Sequence, residues 1–375
     1  MKTLIILYDG VQMNNVISAA HVQPDIVVVV YPKGTRGKLK DKELSSLLNK
    51  ELIYVPIDMN TPVTSLREAL EPYRGAYVDS NGGHDYAAII LGSLMDEYDF
   101  TVVSPNLNRH VISFYNHGRE RIENLTAPLI TVPGFVAMSE GKVMSSAKPV
   151  KRSMTDWAAV DFCNDLRHRD PDKWQSMAKF IQNNLNSAEA KNTMLLREEQ
   201  YKAHKEFFDE LIDHEMLEYD GSGKRNVKLQ FTSDLMRELF AIEGKGLEEE
   251  VWKQLYASEL FTDVREQVRI DWNGDGYVAG TDPTSELDVL ATREWYMACI
   301  SCKTGKLKEE HLYEVFSNAH KFGQGRPIPV LCHDSKDATA IMANKAEELG
   351  IILIGQKVIF SGKTAEYIDD RIRKL

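Results

Sequence analysis

Residues 285–306, SELDVLATREWYMACISCKTGK, decide how the last third of the chain folds. SELDVLAT and YMACISC are rich in apolar and β-branched residues and flank a short reversal at Arg293-Glu294-Trp295. That pattern predicts two antiparallel strands. Side chains alternate faces along a strand, so Glu286 and Asp288 share one face and leave Leu287, Val289 and Leu290 for a core. On the second strand Ser301 and Lys303 share a face, with Cys302 on the other. Pairing then brings Asp288 near Ser301 and Lys303. Polar groups on apolar strands are costly unless they are used. Two carboxylates and a lysine suit metal-assisted hydrolysis of a phosphodiester. Mg²⁺ or Mn²⁺ takes oxygen ligands and acidifies a bound water, and a lysine positions that water or stabilises developing charge. Where a second-strand glutamate would complete the set, two residues before the lysine, the chain has Ser301.

Outward from this hairpin, GKGLEEEVWKQLYASELF predicts a helix starting after glycines. Glu248 offers a third carboxylate, with Glu249 and Glu250 as alternatives by adjacency. Equally, Glu249 and Glu250 fit a solvated acidic helix start favoured by the helix dipole. The backbone carbonyl of Cys302 is a further candidate metal ligand. DVREQVRIDW and IPVLCH read as strands and KEEHLYEVFSNAH as a helix, which together predict a compact α/β domain. Cys299 and Cys302 form a CxxC, with Cys332-His333 downstream. Residues three apart on a strand face opposite ways, which disfavours zinc. Asp271-Trp272-Asn273-Gly274-Asp275-Gly276 matches the opening of a calcium loop, but its twelfth position is Asp282 and its flanks read as strand, so it is taken as hairpin-turn chemistry.

The first 125 residues alternate in another way. TLIILY, DIVVVVY, LIYVPID, GAYVDS and FTVVSP read as buried strands, separated by helical VQMNNVISAA, KDKELSSLLNK, TSLREALEPY and DYAAIILGSLMDEY. This predicts a doubly wound parallel sheet. Such sheets bind ligands beyond the carboxyl ends of their strands, where strand order reverses. The loop after the first strand carries Asp9, Gly10, Val11, Gln12 and Asn14 and lacks G-x-G-x-x-G, which disfavours a classical dinucleotide site. After the fourth strand come Asn81, Gly82, Gly83, His84 and Asp85, opening a helix whose free N–H groups suit an anion. After the fifth come Asn106 and Arg109. Gly82-Gly83 alone reads equally as a tight turn. Three polar loops at one edge favour a nucleotide-like ligand.

Between these regions, 154–217 reads as amphipathic helices, and FFDELIDHEMLEY followed by DGSGKRNVKLQF outlines a winged-helix-like module. Only Lys224, Arg225 and Lys228 decorate its wing, so a connector is favoured over a DNA reader. The expected domains are a sensor over 1–150, a connector over 151–240 and a catalytic domain over 241–375. A formal charge of −11 disfavours broad polyanion binding but fits brief contact with a nucleic acid that is cut. Four cysteines argue against a disulfide scaffold. No run approaches the ~20 apolar residues of a membrane helix, and a cytoplasmic protein with no membrane partner is expected.

Taken together, DGVQMNN, SNGGHDY, GLEEEVW, SELDVL and ISCKTG resemble the CRISPR-associated Rossmann-fold (CARF) nucleases, which join a CARF sensor to a PD-(D/E)xK domain. The resemblance covers most of the chain. It implies an α/β protein with a Rossmann-like sensor, a helical and winged connector and a restriction-endonuclease-like domain. It also implies a homodimer that binds cyclic oligoadenylate, cyclic tetra-adenylate in particular, and then cuts single-stranded DNA or RNA with Mn²⁺ or Mg²⁺ in antiviral defence. Carried over by position, Glu248, Glu286 and Asp288 hold metal and Lys303 serves catalysis. Two departures stand out: Ser301, and His84-Asp85 where the family often has Thr-Lys, which removes a cation from the expected phosphate cradle. The competing reading is a ligand-sensing transcription regulator with a degenerate nuclease domain. A nuclease needing no activator is a third.

Overall fold

The structure is a computed structural model that describes residues 1–8, 13–35, 41–79, 81–82, 85–139, 141–144, 152–185, 192–220, 226–273, 284–323, 326–335 and 339–375. Strands β1 (Thr3–Leu7), β2 (Ile26–Pro32), β3 (Glu51–Ile57), β4 (Tyr77–Asp79) and β5 (Thr101–Asn106) alternate with α1 (Met13–Val22), α2 (Asp41–Leu48), α3 (Pro62–Leu70) and α4 (Asp85–Tyr98). The strands are parallel in the order β3-β2-β1-β4-β5. Their apolar runs serve both faces. Leu4, Ile6, Val27 and Val29 pack with α1 and α2, whereas Ile5, Leu7, Val28 and Val30 pack with α3 and α4. Strand order reverses between β1 and β4, so the loops after those strands meet at the sheet's ligand edge. A hairpin that the strand pattern did not reveal, β6 (Val111–Asn116) and β7 (Arg119–Asn124), extends the sheet antiparallel to β5. Its outer strand, RERIEN, is largely exposed. A polar edge strand carries no apolar run to betray it and resists edge-to-edge pairing.

The chain then forms α5 (Val132–Met138) and β8 (Lys142–Val143). The middle region contains α6 (Met154–Arg169), α7 (Pro171–Asn184), β9 (Thr193–Arg197), α8 (Glu198–Ala203), α9 (Lys205–Asp213), β10 (Leu217–Asp220), β11 (Asn226–Phe231) and α10 (Asp234–Ala241). The expected helix-to-hairpin step is α9 into β10 and β11. Within the stretch expected to be helical, β9 is a strand instead and completes a sheet of order β10-β11-β9. Met194 and Leu196 of β9 point into the local core, an alternation too short to stand out in the sequence. Lys228 is exposed on β11, while Lys224 and Arg225 lie outside the described residues.

The last region is α11 (Lys245–Ala257), β12 (Asp263–Asp271), β13 (Thr284–Arg293), β14 (Tyr296–Lys303), α12 (Glu309–His320), β15 (Pro327–His333), α13 (Ala340–Glu348), β16 (Ile352–Gly355), α14 (Gln356–Ile359) and α15 (Thr364–Ile372). Its sheet runs β16-β15-β14-β13-β12-β8, mixed parallel and antiparallel. β8 therefore lies in this sheet, paired through Val143 to Ile270. Val132, Phe135 and Val136 of α5 share one apolar cluster with α1, α2 and the β12–β13 face, joining the first sheet to the last. Asp271 ends β12 and accepts from the Asn273 N–H at 3.2 Å, a local turn. The rest of the calcium-like loop, 274–283, lies outside the described residues.

Candidate functional site

The β13–β14 ladder runs from Arg293↔Tyr296 to Val289↔Ile300, and no pairing follows beyond it. Asp288 stands at the fork. Its Oδ2 accepts from the Cys302 N–H at 2.6 Å and from the Ser301 hydroxyl at 3.2 Å. Neither bond uses Oδ1, which is left for a ligand. The N–H and C=O of one strand residue point toward the same neighbour, so the Cys302 carbonyl faces the same fork. Burial raises the Asp288 carboxyl above the usual range despite its bond from Cys302 and the Lys303 charge.

Glu248 comes to this fork from α11. The helix begins at Gly244, whose φ of 86° is left-handed and suits glycine. Four residues on, Glu248 sits in the first turn with its side chain 14 % exposed. Burial, and next the charge of Asp288, lift it to about 7. The nearest cation, Lys245 Nζ, is 3.9 Å away. Two carboxylates raised by burial, Glu248 further by the charge of Asp288, with a carbonyl beside them, fit Mg²⁺ or Mn²⁺, which commonly uses one or two carboxylates and completes its shell with water. Among the described residues, no group of three His, Cys, Asp or Glu is placed to hold a metal.

Glu286 does not join this cluster. It shares a face with Asp288 by parity but lies opposite Arg269 of β12 and pairs with it at 3.1 Å, on the exposed part of the strand. Lys303 closes the fork on the other side, its Nζ 3.0 Å from Glu314 Oε2 of α12. Glu314 is a site residue that sequence reasoning missed. It belongs to a helix recognised as such, but nothing in the spacing of that helix reports which strand end it faces. Cys302 lies beside Cys332 in the β14–β15 register, and Cys299, Cys302 and Cys332 are buried free thiols.

Glu249 and Glu250, the alternatives to Glu248, are locked elsewhere. Glu249 is fully buried between Arg152 at 2.5 Å and Lys245 at 2.7 Å, and both cations also reach Glu266 of β12, at 2.6 and 3.0 Å. Burial raises Glu249 to about 7 while Lys245 and Arg152 offset it. Glu250 is 3 % exposed and pairs with Arg167 of α6. The solvated acidic helix start expected for these two is therefore corrected: both are buried, and Arg152 and Arg167 reach them from far away in sequence, with Lys245 of the same helix also on Glu249. Arg167 also lines a cavity of about 350 Å³ with Trp174, Lys179, Thr304 and Gly305, just past Lys303.

At the sensor edge, the residues fall into three groups. Asp9, Gly10, Val11, Gln12, Gly83 and His84 lie outside the described residues, as does the side chain of Asp85, whose backbone opens α4. Asn81 is used internally: its N–H and Nδ2 donate to Asp79 Oδ1 at 2.8 and 2.7 Å, and its carbonyl accepts from Asn15 Nδ2 at 3.0 Å. Asp79 is fully buried, and burial raises its carboxyl despite these bonds. This network fixes the turn at Gly82, where φ is 100°. Asn14 and Asn106 line a cavity of about 370 Å³. The Asn106 side chain also accepts from the Arg109 N–H at 3.2 Å, and the Arg109 side chain is exposed.

A doubly wound parallel sheet, a middle region of helices with a three-stranded sheet, and a mixed sheet with a carboxylate at a strand fork make up the architecture. Comparison with solved structures finds the same fold over the whole chain. A crystal structure of protein VC1899 from Vibrio cholerae superposes with a TM-score of 0.75 at 12% identity, covering 99% of this chain and 98% of that one. Can2 from Sulfobacillus thermosulfidooxidans, in complex with cyclic tetra-adenylate, matches with a TM-score of 0.64 at 16% identity over 100% and 96%. No family model and no curated protein matches the sequence.

Proposed function

We propose that the protein is a metal-dependent nuclease of type III CRISPR defence, switched on by a cyclic oligoadenylate and cutting single-stranded DNA, RNA or both. The observation that carries the reading is the forked end of β13–β14, where Asp288, Glu248 and Lys303 converge. Asp288 and Glu248, with the Cys302 carbonyl, would hold Mn²⁺ or Mg²⁺, which supplies charge neutralisation and an acidified water. Lys303 offsets charge that develops on the phosphoryl oxygens, and Glu314 holds its ammonium in place. Ser301 and the Cys302 N–H keep Asp288 aimed at the fork. Glu286 stands at the rim, paired with Arg269. The cavity just past Lys303 has the exposed Lys179 on its wall, which offers a nucleic-acid strand a cation beside the reacting end.

For the sensor, the activator is cyclic tetra-adenylate at the edge where the β1, β4 and β5 loops meet. The full-length likeness to a protein solved with that ligand supports the choice. A homodimer would present each loop twice to a two-fold ring, and cutting would be switched on because the ring binds the active arrangement better than the idle one. A cytoplasmic setting follows from this role; among the described residues no helix is long and apolar enough to cross a membrane.

The test is incubation of the protein with labelled single-stranded DNA and RNA, Mn²⁺ and cyclic tetra-adenylate. Cutting should need both metal and ring, and Asp288→Ala or Lys303→Ala should lower the rate by roughly a thousandfold or more. Undiminished cutting by both variants would show that the site lies elsewhere. Ring-dependent binding of duplex DNA without any cutting would instead favour a transcription regulator.

A further inference from the structure

The edge where α1 begins and β5 ends carries a cavity of about 370 Å³. The cavity at that edge contains a cation from another part of the chain. Asn14 at the start of α1 and Pro105, Asn106 and Asn108 at the end of β5 form one side, and Arg326, the residue before β15, forms the other. Arg326 belongs to the C-terminal sheet. Among the described residues no carboxylate lies within ion-pair distance of it. Its Nη1 donates to the Tyr296 hydroxyl at 3.2 Å, and the guanidinium carbon sits 5.7 Å from the Tyr296 ring centroid. A guanidinium offers five donors, and among the described residues the Tyr296 hydroxyl takes one of them. Amides that read base edges, together with a cation that has no acidic partner among the described residues, suit a nucleotide with a phosphodiester charge.

We infer that Arg326 is a phosphate-contacting residue of the activator site, contributed by the catalytic domain to the sensor edge. The inference rests on the sensor reading above and adds to it a direct route from ligand to active site. Arg326 is tied twice to the first turn of β14, through Tyr296 and through its carbonyl, which accepts from the Met297 N–H at 3.4 Å. β14 is the strand that ends in Ser301 and Lys303, roughly 23 Å away at about 3.3 Å per residue. The same loop of the sensor makes a second contact with the hairpin. The His110 ring lies 4.9 Å from the Trp295 ring, and its Nδ1 is 3.9 Å from Glu294 Oε2. A phosphate drawn toward Arg326 therefore pulls on the reversal that joins β13 to β14, the two strands whose far ends form the fork at Asp288. A ligand shifts such an equilibrium only by binding one arrangement better than the other, and a cation on the moving element provides that difference.

The experiment measures cyclic tetra-adenylate binding by calorimetry for the wild-type protein, Arg326→Gln and Arg326→Lys, alongside ring-dependent cutting. Arg326→Gln should bind about ten- to a hundredfold more weakly, as expected for one charge-assisted contact, and Arg326→Lys should recover part of the loss. Both should unfold at the wild-type temperature, and at saturating ring Arg326→Gln should cut more slowly than the wild type, with Arg326→Lys between the two. Wild-type-like affinity in Arg326→Gln overturns the inference and leaves the sensor reading intact. Unchanged affinity with a lower saturated rate also overturns it, showing that Arg326 only packs the hairpin. A wild-type protein that binds no cyclic tetra-adenylate removes the sensor reading itself, and the inference with it.

Discussion

Glu248 and its neighbours Glu249 and Glu250 occupy one turn of one helix and meet opposite fates. Glu249 and Glu250 are sunk in the junction with the connector, each against a guanidinium or ammonium. Glu248 faces the strand fork, where the Asp288 carboxylate raises its pKa and the Lys245 ammonium, 3.9 Å away, only partly offsets it. Burying a carboxylate against a cation is neutral to mildly favourable at best, but removing one partner leaves a stranded charge. Burying one beside a second carboxylate is a standing cost unless a cation arrives from solution. The difference separates carboxylates that hold the fold from those arranged for a ligand. It is read from partners, since exposure alone would group all three.

The comparison breaks most directly by neutralising each acid in turn. Glu250→Gln strips Arg167 of its counter-charge and should cost about 3–5 kcal/mol of stability, seen as a lower denaturation midpoint with cutting intact below it. Glu248→Gln should leave the midpoint where it is, or raise it in chelator, while cutting falls by roughly a hundredfold or more. If Glu250→Gln were stable and inactive, the assignments of the two residues would have to be exchanged.

A milder test uses pH. In metal-free protein the Glu248 carboxyl lies at about 7 instead of its ordinary 4.5, chiefly through burial and next through Asp288. An acid whose folded pKa is raised contributes stability that is fully present below 4.5 and is lost as pH rises through about 7. In chelator, the wild type should therefore lose on the order of 2 kcal/mol between pH 5 and pH 8 that Glu248→Gln does not lose. Added Mn²⁺ should remove the difference, because the metal favours the ionised carboxylate in the folded state. A wild-type curve parallel to that of Glu248→Gln in chelator would mean that Glu248 is not buried beside Asp288 as described.

What the sequence made legible follows the same division between local pattern and distant partner. The five parallel strands and four helices of the N-terminal sheet region are visible because fully buried β-branched runs stand out against amphipathic helices. β7 is not, since RERIEN is a polar edge, and β9 is not, since five residues between helices show too little alternation. Strand parity placed Asp288 near Ser301 and Lys303, a relation set by residues within one hairpin, while the bond from the Cys302 N–H to Asp288 came only with the structure. The same parity put Glu286 on the Asp288 face without disclosing Arg269, which lies on a strand separated by a loop. Arg152, Arg167, Glu314 and Arg326 were beyond reach for the same reason. Each acts across elements that only the packing of the whole chain brings together.

The smallest expected effect belongs to Ser301, and it bears on what a missing glutamate means. The Ser301 hydroxyl donates to Asp288 Oδ2 at 3.2 Å, but the Cys302 N–H donates to the same oxygen at 2.6 Å. Deleting the hydroxyl leaves the shorter bond in place, so Ser301→Ala should slow cutting by less than about tenfold, within the 0.5–1.5 kcal/mol of one neutral hydrogen bond. Ser301→Glu would add a third carboxylate to a position only 8 % exposed, beside Asp288 and near Glu248. Without metal it should lower the denaturation midpoint, because like charges then share a buried site. With Mn²⁺ it should tighten metal binding, measured as the metal concentration at half-maximal rate. A Ser301→Ala protein as inactive as Asp288→Ala would reverse this order. It would mean that the hydroxyl holds the attacking water and that the serine is the working ligand, with Asp288 its support.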